Sequence, residues 1–324
     1  MLLTIITLII ILLSLIGHIL RDQTILLAFM MYIPLLPLGL WTILVDLYQK
    51  GFALPKRFSL TVIGLVLTIW GTISMLGGIT TTQIQATANQ TISLLHWNIK
   101  WAGLLNDEKI NLKNPATRGE WPAIRDQLYQ HKPDIIVLTD PPQIQTWLTE
   151  LKTIGNNMFT FFDTKYTGLA IISSWPLKFE HFITIRDGVG FSIVVTVNNK
   201  NFRFLLIDGN SYLKRLRKYI LKDIEQIVID KYKKGEAVDF IVGDFNALSN
   251  SIGFDSYYSM AGGYQLASKM GMIWRGTWPG FLPLFDIDHI WVSKQFQILN
   301  VKTLAQKNIA HRGQLISIYA NNSR

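Results

Sequence analysis

The first 80 residues constrain this chain more than any other stretch. Met1 to Leu20 reads MLLTIITLIIILLSLIGHIL, an almost unbroken apolar run of the length a helix needs to cross about 30 Å of hydrocarbon. A cleavable signal sequence accounts for it poorly: a basic leading segment and a small-residue cleavage site are missing, and two more apolar segments follow. These are Thr24 to Leu47, in which Pro34 and Pro37 are tolerable as kinks, and Phe58 to about Ile79. Trp41, Tyr48 and Trp70 suit interfacial anchors. The expectation is three transmembrane helices within residues 1–80.

The loops orient them. Lys50, Lys56 and Arg57 lie between the second and third spans, against Arg21 alone between the first and second. Basic loops stay cytoplasmic, so the N-terminus is expected in the cytoplasm and everything after residue 80 on the periplasmic or extracellular side. Residues 81–90, within the polar stretch Thr80 to Gln90 (TTTQIQATANQ), read as a linker, and residues 91–324 as one domain. Of the 31 basic and 22 acidic residues in the chain, four and two precede position 80, which leaves 27 against 20 in the remainder. A moderately basic domain suits anionic partners such as phosphate groups or lipid head groups. The chain has no cysteine, which excludes disulfides and thiolate metal sites. No protein partner can be inferred.

Strand-like runs recur from residue 91. They are Thr91–Trp97, ending at Asn98; Asp134–Leu138, after a helical segment that stops before Pro133; then Met158–Phe162, Gly168–Ser173, Gly190–Val197 and Phe202–Ile207. Asn198 and Asn199 predict a hairpin turn between the last two. Residues Gln143–Lys152 read as helical, and Tyr212–Tyr232 as the best helix, with Leu213, Leu216, Tyr219, Ile220, Ile224, Ile227 and Val228 on one stripe. Lys214, Arg215, Arg217, Lys218 and Lys222 are expected on its solvated face, with anionic lipid as the sharper alternative. Val238–Val242, a helical or irregular stretch at Ile252–Ala261, and strands at Ile287–Val292, Phe296–Thr303 and Leu315–Tyr319 complete the pattern. Paired strands with few helices suggest two packed sheets flanked by helices, an α/β architecture.

Within this pattern Ile241-Val242-Gly243-Asp244-Phe245-Asn246 ends an apolar run at a glycine and then offers a carboxylate and a carboxamide. Taken alone, it is also an ordinary way to end a strand in a turn. Five stretches in fixed order give it a context: His96-Trp97-Asn98, PDIIVLTD (Pro133–Asp140), GLAIISSWPL (Gly168–Leu177), VGDFNA (Val242–Ala247), and DIDHIWVS (Asp286–Ser293) followed by AHRGQ (Ala310–Gln314). Together they resemble the endonuclease/exonuclease/phosphatase superfamily of metal-dependent phosphoesterases. The Thr277-Trp278-Pro279 tripeptide and the multi-span N-terminus resemble its membrane-anchored bacterial branch.

The resemblance implies a four-layered α/β sandwich that hydrolyses a phosphodiester or phosphomonoester, of nucleic acid or of a phospholipid head group at the lipid bilayer, with Mg²⁺ or Mn²⁺. It implies Asn98 and Asp140 as metal residues, Asp244 orienting or deprotonating water, and Asn246 donating to a phosphate oxygen. His311 would polarise the phosphate or move a proton while Asp288 holds its ring. Three positions depart from the family pattern. Asp140 replaces a glutamate, Asn210 in LLIDGNS stands where a histidine is usual, and Ala310 replaces an aspartate beside His311. Fewer carboxylates imply weaker metal binding, and a non-catalytic phosphate- or lipid-binding domain of the same fold is the alternative. His96, His131 and His289 are expected to be structural or surface residues.

Overall fold

A computed structural model describes residues 2–50, 59–78, 91–103, 119–142, 150–151, 158–163, 166–212 and 214–320. Four helices come first: α1 (Leu2–Leu20), α2 (Ile25–Met31), α3 (Leu35–Lys50) and α4 (Ser59–Met75). Among the described residues α1 alone is a single helix long and apolar enough to cross a membrane; α2 and α3 qualify only as a pair, bent by 63°, and α4 is shorter. The second expected span is thus two helices. Pro34 disfavours helical geometry at Ile33 and has no N–H to donate, so the chain breaks at Tyr32 to Pro34. The basic residues Lys56 and Arg57 and the linker 81–90 lie outside the described residues.

The helices pack closely where side chains are smallest. A Cβ on Gly17 would fall 2.3 Å from the Met30 carbonyl carbon, and one on Gly71 would fall 2.4 Å from the Leu36 nitrogen, so both contacts bring backbones together. Thr4 Oγ1 donates to Gln49 Oε1 at 2.7 Å, which brings the start of α1 and the end of α3 to one end of the bundle. At the other end the loop after α1 meets the rest of the chain. Arg21 forms two hydrogen bonds to Asp255 at 2.7 and 2.8 Å, Asp22 accepts from the Ile252 N–H at 2.8 Å, and Lys218 Nζ donates to the Gln23 carbonyl. After α4, Gly77 and Gly78 donate to the carbonyls of Ile273 and Lys269.

Among the described residues, twelve strands form two six-stranded sheets. One has the order β11 (Phe296–Leu304), β12 (Gly313–Ala320), β1 (Thr91–Asn98), β2 (Ile135–Thr139), β4 (Leu169–Ser173), β3 (Phe159–Asp163). The other runs β5 (Leu177–Ile185), β6 (Gly188–Val197), β7 (Lys200–Gly209), β8 (Phe240–Asp244), β10 (Asp288–Ser293), β9 (Tyr264–Leu266). Both are mixed: β1 and β2 are parallel, as are β7 and β8, and the other pairs are antiparallel. Leu94, Val137 and Ile171 meet Phe191, Phe204 and Val242 in the core between the sheets, each such burial stabilising the fold by about 1.5–3 kcal/mol. Helix α5 (Trp121–His131) covers the outer face of the first sheet through Ile124 and Leu128. Helix α6 (Arg217–Lys233) covers the second through Ile220, Ile224 and Val228. The layers are helix, sheet, sheet, helix.

Several local expectations change. The best helix begins at Arg217, not Tyr212, and Leu213 lies outside the described residues, as do 143–149 and 152 of the expected helix after β2. Strand β5, where polar and apolar residues are interleaved around a bulge between Phe179 and His181, and the short β9 had no sequence signal strong enough to be read. The Asn198–Asn199 hairpin is present, both residues at positive φ (49° and 63°).

Candidate active site

The two parallel pairs decide where the polar residues converge. Parallel neighbours end on the same side of a sheet, and register places Asn98 opposite Thr139 and Asp208 opposite Asp244. Antiparallel β10 then begins where β8 ends, with Asp288 opposite Asp244. Asp208, Asp244 and Asp288 therefore stand abreast on three neighbouring strands, and residues in register share a face. Gly243 makes the approach of β7 and β8 possible: at φ 155° a Cβ there would lie 1.8 Å from the Ile207 carbonyl oxygen.

These ends open into a cleft of about 850 Å³ whose lining includes Asn98, Asp140, Asp208, Asp244, Arg217 and His311. Asn98 Nδ2 donates to Asp244 Oδ2 at 3.0 Å, and its Oδ1 accepts the Lys100 N–H at 3.0 Å. Asp244 Oδ1 accepts the Asn246 N–H at 2.8 Å, and Asn246 Nδ2 gives one hydrogen to the Gly209 carbonyl at 2.7 Å. Asp288 Oδ2 and His311 Nδ1 are 2.8 Å apart. Donor atoms of Asp244, Asp288 and His311 lie within 4.8 Å of one another. The histidine loop is fixed from behind, since Trp97 Nε1 donates to the His311 carbonyl at 3.0 Å and Gln314 Nε2 to the Asp288 carbonyl at 2.9 Å. Asp140 follows β2 at φ 48° and accepts from Lys100 Nζ at 3.1 Å.

Burial and like charge act together on the carboxylates. Burial, reinforced by the Asp288 carboxylate, pushes Asp244 up to about 7. Burial, with Asp244 and Asp140 nearby, raises Asp208 well above the usual carboxylate range. For Asp288 burial acts upward, but the His311 ring overrides it and holds the group low. Burial would lower His311; the Asp288 carboxylate beside it wins and raises the imidazole to about 9. The pair therefore carries its proton on histidine, as expected when opposite charges meet away from water.

The cleft gathers Asn98, Asp140, Asn210, Asp244, Asn246 and His311, with Asp288 buried behind His311. Asn210 is engaged within its own loop: its N–H donates to the Asp187 carbonyl and its Oδ1 accepts the Tyr212 N–H, both at 2.9 Å. Ala310 lines the cleft without a polar side chain. His96 is fully buried against Thr139 Oγ1 at 3.1 Å. His289 is buried on the Ala247 carbonyl at 2.7 Å. Arg217 corrects an expectation. It is not on a solvated face but buried, lining the cleft and donating to the Asn210 carbonyl, because the helix starts at this residue and its first turn faces the strand ends.

Among the cleft residues that had not been singled out for the site are Tyr32, Lys100, Asp208 and Arg217. Asp208 had a signal, an acid ending the apolar run Leu205-Leu206-Ile207 just as Asp244 ends Ile241-Val242-Gly243. Tyr32 had none, since nothing local links it to Asn246, more than 200 residues away.

A divalent cation fits the donors present. Asp140 Oδ1 and Asp208 Oδ2 face the same glycine: a Cβ on Gly168, at φ 60°, would lie 3.5 and 3.8 Å from them. Two carboxylates around a cradle kept open by glycine, with Asn98 beside them, offer hard oxygen ligands of the kind Mg²⁺ and Mn²⁺ take.

The family model described as "Endonuclease/Exonuclease/phosphatase family" matches residues 95–309, more than half of the chain. The chain belongs to this family. Its members are nucleases and phosphatases that act on phosphate-containing substrates and generally use divalent metal ions. Compared by sequence with curated proteins, the chain has no match. Among solved structures it is similar to the human Nocturnin catalytic domain with bound sulfate (TM-score 0.53, 16% identity, 72% of this chain and 95% of that one). It is also similar to a mannosyl-6-phosphatase of Bacteroides thetaiotaomicron (0.51, 13%, 70% and 99%) and to humanized D. rerio TDP2 (0.50, 16%, 71% and 100%). At these identities the likeness carries the fold of the endonuclease/exonuclease/phosphatase domain and no more.

Proposed function

We propose that this chain is a membrane-anchored, divalent-metal-dependent phosphoesterase that hydrolyses phosphodiester or phosphomonoester bonds. The observation that carries the reading is the convergence of Asp140, Asp208 and Asp244 with the Asp288–His311 pair at one end of the two sheets. Asp208 supplies a carboxylate in the cleft whose Ala310 position lacks one, which favours an active site over a vestigial one.

Asp140 and Asp208, with Asn98, would hold the cation, which when bound neutralises phosphoryl oxygens. Asp244, held by the Asn98 carboxamide and the Asn246 N–H, orients the attacking water and takes its proton. Asn246 offers its second amide hydrogen to the phosphate. His311, with Nδ1 on Asp288, is left with Nε2 to donate to a phosphoryl oxygen as charge develops there.

For the anchor, we infer that α1, the α2–α3 pair and α4 all belong to the bilayer, with residues 91–324 as the catalytic domain outside the cytoplasm. The Arg21–Asp255 contact supports a first loop on the same side as that domain, and the Thr4–Gln49 contact supports an antiparallel bundle.

A second reading, a non-catalytic domain that binds phosphate or lipid, draws on one observation: Lys100 Nζ already neutralises Asp140. Full-length protein in nanodiscs, assayed with Mg²⁺ or Mn²⁺ on bis-p-nitrophenyl phosphate, separates the two. Metal-dependent release of nitrophenol that is lost in Asp244→Ala and His311→Ala supports the enzyme. Equal traces from all three proteins would sink it.

A further inference from the structure

The cleft has two unlike sides. Its floor is the polar cluster, whereas its other wall is apolar and comes partly from the N-terminal helices: Tyr32, Trp278, Phe285 and Ile287 all line it. Tyr32, in the break between α2 and α3, packs on Phe285 with ring centroids 5.7 Å apart, and Phe285 packs on Trp278 at 5.6 Å. Trp278 and Phe285 also bridge by backbone hydrogen bonds in both directions. They close a loop of sequence WPGFLPLF (Trp278–Phe285) that contains no charged side chain. The loop is pinned beside the histidine, since Gly280 donates to the Ala310 carbonyl at 2.6 Å and accepts from Arg312 Nε at 3.0 Å.

Its tip is left bare. Phe281 is 87% exposed and Leu282 53%, a costly display for a soluble surface. Helix α2, which runs up to Tyr32 in the cleft wall and is bent away from α3, exposes Ile25, Leu26 and Phe29. The loop and α2 thus both carry apolar side chains outward, as α1, α3 and α4 also do. Lys218, tied to the Gln23 carbonyl, sets the basic start of α6 beside the same surface, where anionic head groups would lie.

We propose that the substrate is a phosphate ester of a bilayer lipid, whose head group enters the cleft along the apolar wall formed by Tyr32 and the Trp278–Phe285 loop while its acyl chains stay in the membrane against Phe281 and Leu282. This rests on the phosphoesterase reading above. In the step, a water oxygen forms a bond to phosphorus and the ester P–O bond breaks. The leaving alcohol oxygen takes one proton, and the second passes to solvent. A nucleic acid fits the cleft less well. Apart from His311, the lining offers two cations among the described residues, Lys100 and Arg217. That is enough for one phosphate but is no track for a polyanion, and single strands also need stacking faces along such a track.

The test uses the full chain in nanodiscs with Mn²⁺ and three probes: bis-p-nitrophenyl phosphate, vesicles of phosphatidylcholine with phosphatidylglycerol, and a single-stranded DNA oligonucleotide. Lipid cleavage is read by phosphorus NMR. The expected result is hydrolysis of lipid and of the soluble ester. Phe281→Asp combined with Leu282→Asp should lower the lipid rate by at least about tenfold, as loss of two apolar side chains that would insert into the bilayer implies, with the soluble ester unchanged. Cleavage of the soluble ester and of DNA but not of lipid would overturn this proposal alone, as would an equal loss on both esters in the double variant. No hydrolysis of any probe would overturn the phosphoesterase reading and this one with it.

Discussion

The hydroxyl of Tyr32 donates to the carbonyl of Asn246 at 3.0 Å, so the N-terminal helices touch the very loop that carries Asp244 and Asn246. A single neutral hydrogen bond contributes about 0.5–1.5 kcal/mol. Removing it by Tyr32→Phe keeps the ring on Phe285 but frees the loop. Turnover of a soluble phosphate ester should fall by about 2- to 12-fold, with the melting temperature lowered by no more than about 6 °C. Steady-state kinetics beside a thermal melt checks this, and an unaltered kcat would show that the anchor does not position the loop.

Asp288→Asn leaves His311 in place but takes away the charge that holds its proton. In the wild-type protein His311 stays protonated until pH rises through about 9; in the variant the proton is lost at lower pH. The histidine's NMR titration should move in that direction, and kcat should fall by about 10²- to 10⁴-fold, the range for a disabled proton donor. A titration that stays put would mean that Asp288 does not set the state of the ring.

Metal affinity should register Asp208. With Asp208→Asn the cleft keeps its shape and loses one negative oxygen donor, so Mn²⁺ binding measured by calorimetry should weaken by at least about tenfold. Chelation with EDTA should abolish hydrolysis in wild type, and added Mn²⁺ should restore it. Unchanged affinity in the variant would remove Asp208 from the metal set.

Away from the site, Glu180 predicts how the fold meets acid. Burial acts to raise its carboxyl, but hydrogen bonds from Lys231, Ser192 and Arg203 outweigh it and hold the group at about 2, against an ordinary 4.5. A depressed folded value means stability that is complete above pH 4.5 and is lost as pH falls through about 2. Glu180→Gln should cost about 1–3 kcal/mol at neutral pH, because the buried Lys231 loses its carboxylate partner at 2.8 Å and keeps only Glu236 at 3.8 Å. It should also flatten the acid limb of a denaturation series; equal acid sensitivity in both proteins would refute the assignment.

Much of the frame was legible in the chain itself. The apolar N-terminal runs, the strand ends at Asn98, Asp140 and Asp244, and the ordered motifs around Asp288 and His311 are local patterns, because side-chain periodicity and turn chemistry act over a few residues. The tertiary structure alone decided which of them meet. Register, not spacing, set Asp208 beside Asp244. The late start of α6 turned Arg217 from solvent into the cleft. The break at Pro34 brought Tyr32 to Asn246 across more than 200 residues. Such contacts depend on how sheets pair and layers pack, and no short window of sequence carries that information.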